Sequence, residues 1–177
     1  MVLEHLLSEK RAAILRRWFE LVIDTYPADV SKFLMQEKDR FLNPVGYTIS
    51  LEIIALYDGL LQGLEAEKLT APLDNIVKIR AVQDFSPREA VSFVLSLKKA
   101  LREELGDQLW KNQFSADLLE FESKIDELAL LAMEIYTKYR EKIQEIRLKE
   151  LKAEKESVLK LLKGTDQGDL DLEKDRE

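Results

Sequence analysis

The C-terminal part of the chain contains the feature that most restricts its fold, because no proline or glycine occurs between Ser115 and Gly164. Apolar residues in this stretch recur at alternating spacings of three and four, which is typical of a helix with one apolar stripe. At 1.5 Å per residue such a helix is about 70 Å long, more than a domain of this size covers. We therefore predict one long helix whose first half packs on the preceding elements. The stripe consists of Leu118, Phe121, Ile125, Leu128, Ala132, Ile135, Tyr139 and Ile146, with one polar position at Lys142.

The second half of this helix is expected to meet another chain. It stays apolar beyond the length that a globular body covers, and an unpaired apolar helix favours aggregation. Residues 137–163 hold nine Lys or Arg and five Glu, so this part is basic. From Gly164 the chain is polar and mostly acidic, which predicts a disordered tail over 164–177. The residues predicted to pair two copies are Ile135, Tyr139, Ile143 and Ile146.

The four prolines divide the remainder of the chain into helices. A proline is well tolerated in the first turn of a helix, where its missing N–H has no intrahelical partner. Pro44 follows Asn43, a good N-cap, and the segment from Ser86 to Glu89 has the pattern of a capping box. We predict an all-α, multi-helix domain over residues 1–135, a charged helix over 136–163, and the acidic tail. Within the domain, apolar periodicity predicts helices over 3–25, 28–36, 45–64, 73–83 and 87–105.

The residue inventory excludes several classes of function. The chain has no cysteine and one histidine, His5, so thiolate sites, Ser-His-Asp triads and di-iron bundles lack their ligands. No glycine-rich phosphate loop is present. A net charge of −7 argues against nucleic-acid binding. No signal peptide or apolar run long enough to span a membrane is found. We therefore expect a cytoplasmic non-enzyme with no catalytic residue, cofactor, metal or membrane insertion.

The first candidate contact site lies before the third predicted helix. Three charges, an aromatic residue and a helix cap are concentrated in a few residues there, which suits a partner contact or a small anion site at a helix N-terminus. The alternative is a structural connector in which Arg40 and Asn43 satisfy backbone groups. The candidate residues are Lys38, Asp39, Arg40 and Asn43.

The second candidate contact site lies between the fourth and fifth predicted helices. Arg80 continues the apolar stripe of the fourth helix, so we expect part of it to be buried and surrounded by a carboxylate or carbonyls. Asp84 is the nearest carboxylate. The two interpretations are a corner brace and a contact for a ligand or partner, and the candidate residues are Arg80, Gln83 and Asp84.

Four segments of the chain form a recognisable pattern: Trp18–Phe19, Thr25–Pro27, Lys38–Gly46 and Ile79–Pro87. Together they resemble the RsbRD N-terminal domain family, the sensory half of RsbT co-antagonist proteins of bacterial stressosomes, and the resemblance covers roughly residues 6–135. It implies an all-α, globin-like, haem-free domain that dimerises. In the full-length family members a helix leads from this domain to a STAS domain. The acidic tail leaves no room for one here, so we expect a stand-alone module.

These observations predict a dimeric signalling or regulatory module. Its expected partners are a second copy of itself and an unidentified regulatory protein. One alternative is a sensor with a small-molecule cavity near Arg40, Tyr57 and Arg80. The other is an accessory protein of a redox or sulfite-reduction complex in a sulfate reducer, because stand-alone family members are found beside genes for such a complex.

Overall fold

The computed structural model describes residues 2–106 and 115–174, with side chains over 3–106 and 116–160. These residues form seven α-helices and one short 3-10 helix, with no strand among them, so the all-α prediction is confirmed. The helices are α1 Val2–Glu9, α2 Arg11–Ile23, α3 Ala28–Gln36, α4 Pro44–Leu61, α5 Thr70–Val82, α6 Pro87–Leu105 and α7 Ser115–Lys174, and the 3-10 helix is Ala66–Leu69.

The first helix is interrupted, whereas the sequence predicted a continuous one over 3–25. Lys10 separates α1 from α2 with φ −87° and ψ 2°. The backbone hydrogen bonds from Lys10 N to Leu6 O and from Ile14 N to Lys10 O remain in place, at 3.0 Å each. Leu7 before the bend and Ile14 after it are both buried, so the apolar stripe continues through the bend. A local departure in ψ at one residue therefore leaves the apolar stripe intact.

Prolines mark the beginnings of helices, as predicted. Pro44 and Pro87 occupy the first turns of α4 and α6, and Pro27 is the N-cap of α3. The capping box at the start of α6 is complete. The N–H of Glu89 donates to Ser86 Oγ at 3.3 Å, and the N–H of Ser86 donates to Glu89 Oε2 at 3.0 Å. These bonds satisfy backbone donors that the first helical turn leaves unpaired.

The core of the body forms where α2 packs on α6 and α4 packs on α5. Trp18 of α2 is 1% exposed, and its indole N–H donates to the carbonyl of Phe93 in α6 at 2.7 Å. The buried indole therefore keeps a hydrogen-bond partner, as a polar group in an apolar core requires.

The first part of α7 completes this body. Its buried residues are spaced by three and four, as the sequence predicted, and two ion pairs join it to α6. Arg102 donates to both carboxylate oxygens of Glu122 at 2.9 and 3.1 Å, and Lys98 lies 2.7 Å from Asp126. The buried apolar residues of this part are Phe121, Ile125, Leu128, Ala129, Ala132, Ile135 and Tyr136.

The chain divides into two compact units, Met1–Tyr139 and Arg140–Glu177. The sequence placed the domain boundary after residue 135, but Tyr136 still bonds to the turn between α5 and α6, and Tyr139 bonds to α5. In the second unit α7 continues to Lys174, eleven residues past the expected end at 163. A disordered acidic tail over 164–177 stays a prediction, and residues 175–177 lie outside the described part of the chain.

Candidate functional site: two capped helix corners

The first corner joins α3 to α4 through the side chain of Asn43, which is 2% exposed. Its Nδ2 donates to the carbonyls of Leu34 and Glu37 at 3.0 and 2.9 Å. Its Oδ1 accepts from the N–H of Gly46 at 2.8 Å. One buried amide thus closes the end of α3 and caps the start of α4, using both its donors and its acceptor. The connector interpretation is correct for Asn43.

This arrangement explains why position 46 is a glycine. A Cβ at position 46 would overlap the Nδ2, Oδ1 and Cγ atoms of Asn43. Because the amide is held by three bonds and buried, it has little freedom to move aside. The two residues therefore form a single device at the corner, the "α3–α4 cap".

The loop held by the α3–α4 cap exposes an apolar tip. Lys38, Asp39 and Arg40 are exposed, and the guanidinium of Arg40 lies 4.7 Å from the ring centroid of Phe41. Phe41 and its neighbour Leu42 are 78% and 65% exposed. Asp39 Oδ1 accepts from the N–H of Phe41 at 2.7 Å, which fixes the turn locally. The geometry thus presents a cation and two large apolar side chains on a rigid base.

The solvent side of α4 is also apolar. Tyr47, Leu51 and Ile54 are 44%, 51% and 39% exposed and lie on one helical face at spacings of four and three. The acidic residues of α4 are Glu52, which accepts from Asn75 Nδ2 at 2.7 Å, and Asp58, which lies 2.7 Å from Arg11. The 18-residue helix α4 is therefore apolar on its exposed face as well as on its buried face. A helix that is apolar on both faces is typical of one that other protein surfaces cover on both sides.

The second corner is built around Arg80, a fully buried arginine of α5. Its guanidinium donates to Glu89 O at 2.8 Å, to Val22 O at 3.1 Å and to Thr25 Oγ1 at 3.0 Å. Its Nε has no hydrogen-bond partner in the structure. The acceptors near the end of α2 suit a cation, because helix C-termini carry partial negative charge. Arg80 therefore braces α5 and α6, as the brace interpretation predicted, and it also holds the end of α2, which the sequence did not predict.

Aromatic rings complete the surroundings of Arg80. Its guanidinium carbon lies 4.9 to 5.5 Å from the ring centroids of Phe85, Phe93 and Tyr26. Burial among these rings lowers the pKa of Arg80 to about 10. At neutral pH the guanidinium remains charged, and the ring faces contribute cation–π attraction.

Asp84 has a backbone role that the sequence did not predict. The described acceptors of Arg80 are carbonyls and a hydroxyl, while Asp84, the expected carboxylate acceptor, is exposed. Asp84 has φ of 59°, and the following N–H of Phe85 donates to Arg80 O at 3.2 Å. This is the hydrogen bond of a Schellman ending, in which a residue in the left-handed region closes the helix. Gln83 is exposed, and its Oε1 accepts from Tyr26 OH at 3.1 Å.

Two tyrosines tie this region to α7. Tyr136 OH donates to the carbonyl of Phe85 at 2.6 Å, and Tyr139 OH donates to the carboxylate of Asp74 in α5 at 2.9 Å. Desolvation and the hydrogen bond to Asp74 raise the pKa of Tyr139 above its usual value, so the phenol stays protonated at neutral pH. The last turn of α7 within the first unit is therefore anchored to the Arg80 corner and to α5.

The four residues predicted to pair two copies have different surroundings. Ile135 is 7% exposed in the core, and Tyr139 is partly buried against α5. Ile143 is partly exposed and Ile146 is 49% exposed. In the described chain, only the second pair leaves substantial apolar surface for another molecule.

The described grooves are either smaller than a usual ligand site or open to solvent. A groove of about 250 Å³ lies beside the first corner, between Phe19, Met35 and Tyr47. Another of about 260 Å³ is lined by residues of α1, α4 and α7, and an open depression of about 410 Å³ lies near Tyr26. Small-molecule sites usually measure about 300–1,000 Å³. Arg80 and Tyr57, which were expected to line a cavity, are both fully buried, and Tyr57 OH donates to Leu7 O at 3.0 Å.

Two further findings concern metal binding and membrane insertion. Over the described residues, no group of His, Cys, Asp and Glu is arranged to hold a metal ion. None of the described helices is long and apolar enough to cross a membrane. The one histidine, His5, is exposed.

The residues proposed from the sequence for the first corner did not include Phe41 and Leu42, its most exposed apolar residues, although both lie within the segment that was singled out. A signal was available in the sequence: two large apolar residues stand between a charged run and a helix cap. Neither of them continues the apolar stripe of the helix before or after, so exposure could be expected. The sequence also gave no indication of Tyr136, because its hydrogen bond to the carbonyl of Phe85 depends on the tertiary structure.

The fold and the two corners define an all-α module whose connections are braced by buried polar side chains. A family model described as the RsbT co-antagonist protein rsbRD N-terminal domain matches residues 12–151. The chain therefore belongs to the RsbRD N-terminal domain family, as the sequence motifs indicated. An uncharacterized protein of Archaeoglobus fulgidus is 25% identical over 157 residues, which is 86% of this chain and 91% of that relative. No solved structure matches the chain.

Proposed function

We propose that this chain is a cytoplasmic sensory or signalling module that acts by binding another protein and catalyses no reaction. Membership of the RsbRD N-terminal domain family supports this class of function, because family members form the sensory part of stressosome proteins. A globin-like arrangement and a dimeric state belong to the same proposal.

The exposed tip of the first corner carries the proposal of a protein contact. Phe41 and Leu42 stand 78% and 65% exposed on a loop that the α3–α4 cap holds in place. Burying one such side chain contributes roughly 1.5–3 kcal/mol. Pre-ordering lowers the entropic cost of binding, since the loop is already in one conformation. Arginine and aromatic residues are also enriched at binding hot spots, and Arg40 lies against Phe41.

The second corner supplies a route from this body to α7. Arg80 holds α2, α5 and α6 together, and Tyr136 bonds α7 to the same corner. A partner or signal that shifts α5 would alter the bonds of Tyr136 and Tyr139. The anchored turn of α7 would then adopt a different position, and this change is the output of the module.

Affinity capture from the native organism tests the proposal. The wild-type chain is compared as bait with a Phe41→Ala/Leu42→Ala variant and with a Val82→Ala control, because Val82 is also 65% exposed but lies on α5. We expect at least one protein to be captured by the wild type and the control and lost with the double variant. Capture of the same proteins by all three baits would exclude this tip as the contact.

A small-ligand sensor is the second candidate, supported by the groove beside the first corner. At about 250 Å³ it suits only a small ligand. A thermal-shift screen of metabolites with the wild type and a Ser50→Leu variant, which fills the groove margin, tests this candidate. Stabilisation of the wild type alone would support a ligand role, and no shift with any compound would count against it.

A further inference from the structure

The exposed face of α4 carries no charged side chain over about three helical turns. Tyr47, Leu51 and Ile54 follow one another along this face, and we call these three residues the α4 stripe. Between positions 44 and 55 the one charged residue is Glu52, which lies to the side of the stripe and accepts from Asn75 of α5. An uncharged apolar face of this length on a described helix is typical of a surface that another protein covers.

The loop before α4 adds two cations at one end of the α4 stripe. Its carboxylates bond to its own backbone: Glu37 Oε1 accepts from the N–H of Asp39 at 2.8 Å, and Asp39 Oδ1 accepts from the N–H of Phe41 at 2.7 Å. Lys38 and Arg40 are exposed and form no ion pair with the side chains that the structure describes. The loop therefore offers its positive charges to a carboxylate from outside.

The geometry of the α4 stripe suits a helix better than an extended segment. The described part of the chain has no strand whose edge a partner could extend. Side chains at spacings of four and three form a ridge that packs into the groove of another helix. The groove of about 250 Å³ between Phe19, Met35 and Tyr47 adjoins the stripe at Tyr47 and provides a recess for one side chain of that helix.

We propose that the α4 stripe binds an amphipathic helix of a different protein, whose apolar face covers the stripe and whose carboxylate pairs with Lys38 or Arg40. This inference rests on the proposed function of protein binding and specifies the partner. An identical α4 from a second copy would bring no free carboxylate to these cations. Its two acidic residues are already bonded, Glu52 to Asn75 and Asp58 to Arg11.

Photo-cross-linking of the full chain in a lysate of the native organism tests the shape of the partner segment. The photoreactive residue p-benzoylphenylalanine replaces Thr48 or Ala55, which flank the α4 stripe and lie about 10 Å apart along the helix. A partner helix along α4 would be linked at two positions about seven residues apart, whereas an extended segment would be linked about three residues apart. We expect both variants to link to one segment of one protein at the larger spacing. The same replacement at Arg88, which is exposed on α6, is the control and should not link to that segment.

The sequence of the linked segment tests its chemistry. We expect apolar residues at spacings of three and four, and an acidic residue near the position linked from Thr48, because that end of α4 is closer to Lys38 and Arg40. A spacing of about three residues, or a segment without this pattern, would overturn the helix. Links from the two positions to different proteins, or no link from either, would overturn it as well.

A synthetic peptide of the linked segment tests the charge pairing with the purified chain. Lys38→Glu/Arg40→Glu should weaken binding of the peptide by about tenfold, because attraction to its carboxylate becomes repulsion. Exchanging the acidic residue of the peptide for lysine should restore most of the affinity for this variant. Arg88→Glu/Lys99→Glu on α6 changes the net charge equally and should have little effect. Equal affinity of the wild type and Lys38→Glu/Arg40→Glu would overturn the carboxylate contact.

Vesicles distinguish this partner from a lipid surface, which an apolar tip beside two cations would also suit. Phosphatidylserine-containing vesicles are sedimented with the full chain, and we expect the chain to remain in the supernatant. Sedimentation with the vesicles that is lost in the Phe41→Ala/Leu42→Ala variant would overturn the inference and assign the tip to lipid.

Failure of this inference can be told from failure of the proposed function. If the Phe41→Ala/Leu42→Ala bait loses a captured protein while positions 48 and 55 give no link, the protein contact stands and the helix on α4 is overturned. If wild-type, variant and control baits capture the same proteins and no link forms, both are overturned.

Discussion

At the residue scale, Arg80 shows how a buried charge is accommodated without an ion pair. Its hydrogen bonds go to two carbonyls and a hydroxyl, and three aromatic rings surround the guanidinium. The planar fork of arginine reaches α2 and α6 at once, which a lysine ammonium does not do. Arg80 therefore holds the ends of three helices together through the hydrogen bonds of its charged guanidinium.

We expect Arg80→Lys to lower the free energy of unfolding by about 1–3 kcal/mol, because the ammonium loses acceptors and ring contacts that remain buried. Urea denaturation followed by circular dichroism measures the change. Arg88→Lys, an exposed arginine on α6, serves as the control and should change stability by less than about 0.5 kcal/mol. Equal stability of wild type and Arg80→Lys would show that the brace depends on the methylene stem alone.

A second residue-scale prediction concerns Glu89 of the capping box. Hydrogen bonds from Ser86 hold the pKa of Glu89 below its usual value of 4.5. A lowered folded-state pKa means that the stabilisation is present above the unfolded-state value and is lost as the pH falls through the folded-state value. We expect Glu89→Gln to lower the melting temperature at pH 7 and to have little effect near pH 3.

Thermal unfolding of both proteins across this range measures the difference, and Glu104→Gln near the other end of α6 is the control. A Glu89→Gln deficit that stays constant between pH 7 and pH 3 would show that ionisation of Glu89 does not contribute.

At the element scale, helices are joined by side chains that serve two elements at once. The α3–α4 cap closes one helix and opens the next with a single buried amide. α7 changes its surroundings along its length, since it is buried at Ile135 and Tyr136 and exposed at Leu148 and Leu151. One helix therefore contributes both to the core and to an uncovered surface.

The close packing of Gly46 on Asn43 predicts a non-additive mutant pair. Gly46→Ala should cost about 1–2 kcal/mol in the wild type, because the new methyl group displaces the capping amide. In an Asn43→Ala background that amide is gone, and Gly46→Ala should be neutral or stabilise the helix by up to about 1 kcal/mol. Urea denaturation of the four proteins completes the cycle, and additive costs would contradict the proposed clash.

At the scale of the whole molecule, stability is distributed unevenly between the two units. The first contains the buried core, whereas residues 144–160 of the second are exposed throughout. Isolated helices gain little stability in water, so the second unit depends on what covers its exposed apolar residues, such as Leu148 and Leu151.

Hydrogen exchange measures this difference directly. Amides of residues 121–136 should exchange slowest, and those of residues 144–160 should exchange faster at low protein concentration. Protection of residues 144–160 should rise with concentration, because pairing of two copies would bury exposed apolar residues such as Leu148 and Leu151. Equal protection of both segments in a dilute sample would show that residues 144–160 are stabilised without a partner.

The sequence by itself determined the helical class, the positions of most helix starts and the family. These depend on local physics: proline in first turns, the capping pair of Ser86 and Glu89, and the spacing of apolar residues. It also indicated that Arg80 would be buried. Only the tertiary structure decided that Arg80 donates to the carbonyls of Val22 and Glu89. Val22 is distant in sequence, and Glu89 lies across the turn between α5 and α6. Likewise, the sequence indicated that Asn43 is a cap, but only the tertiary structure decided that it is buried while Phe41 and Leu42 are exposed, because burial depends on which elements pack together.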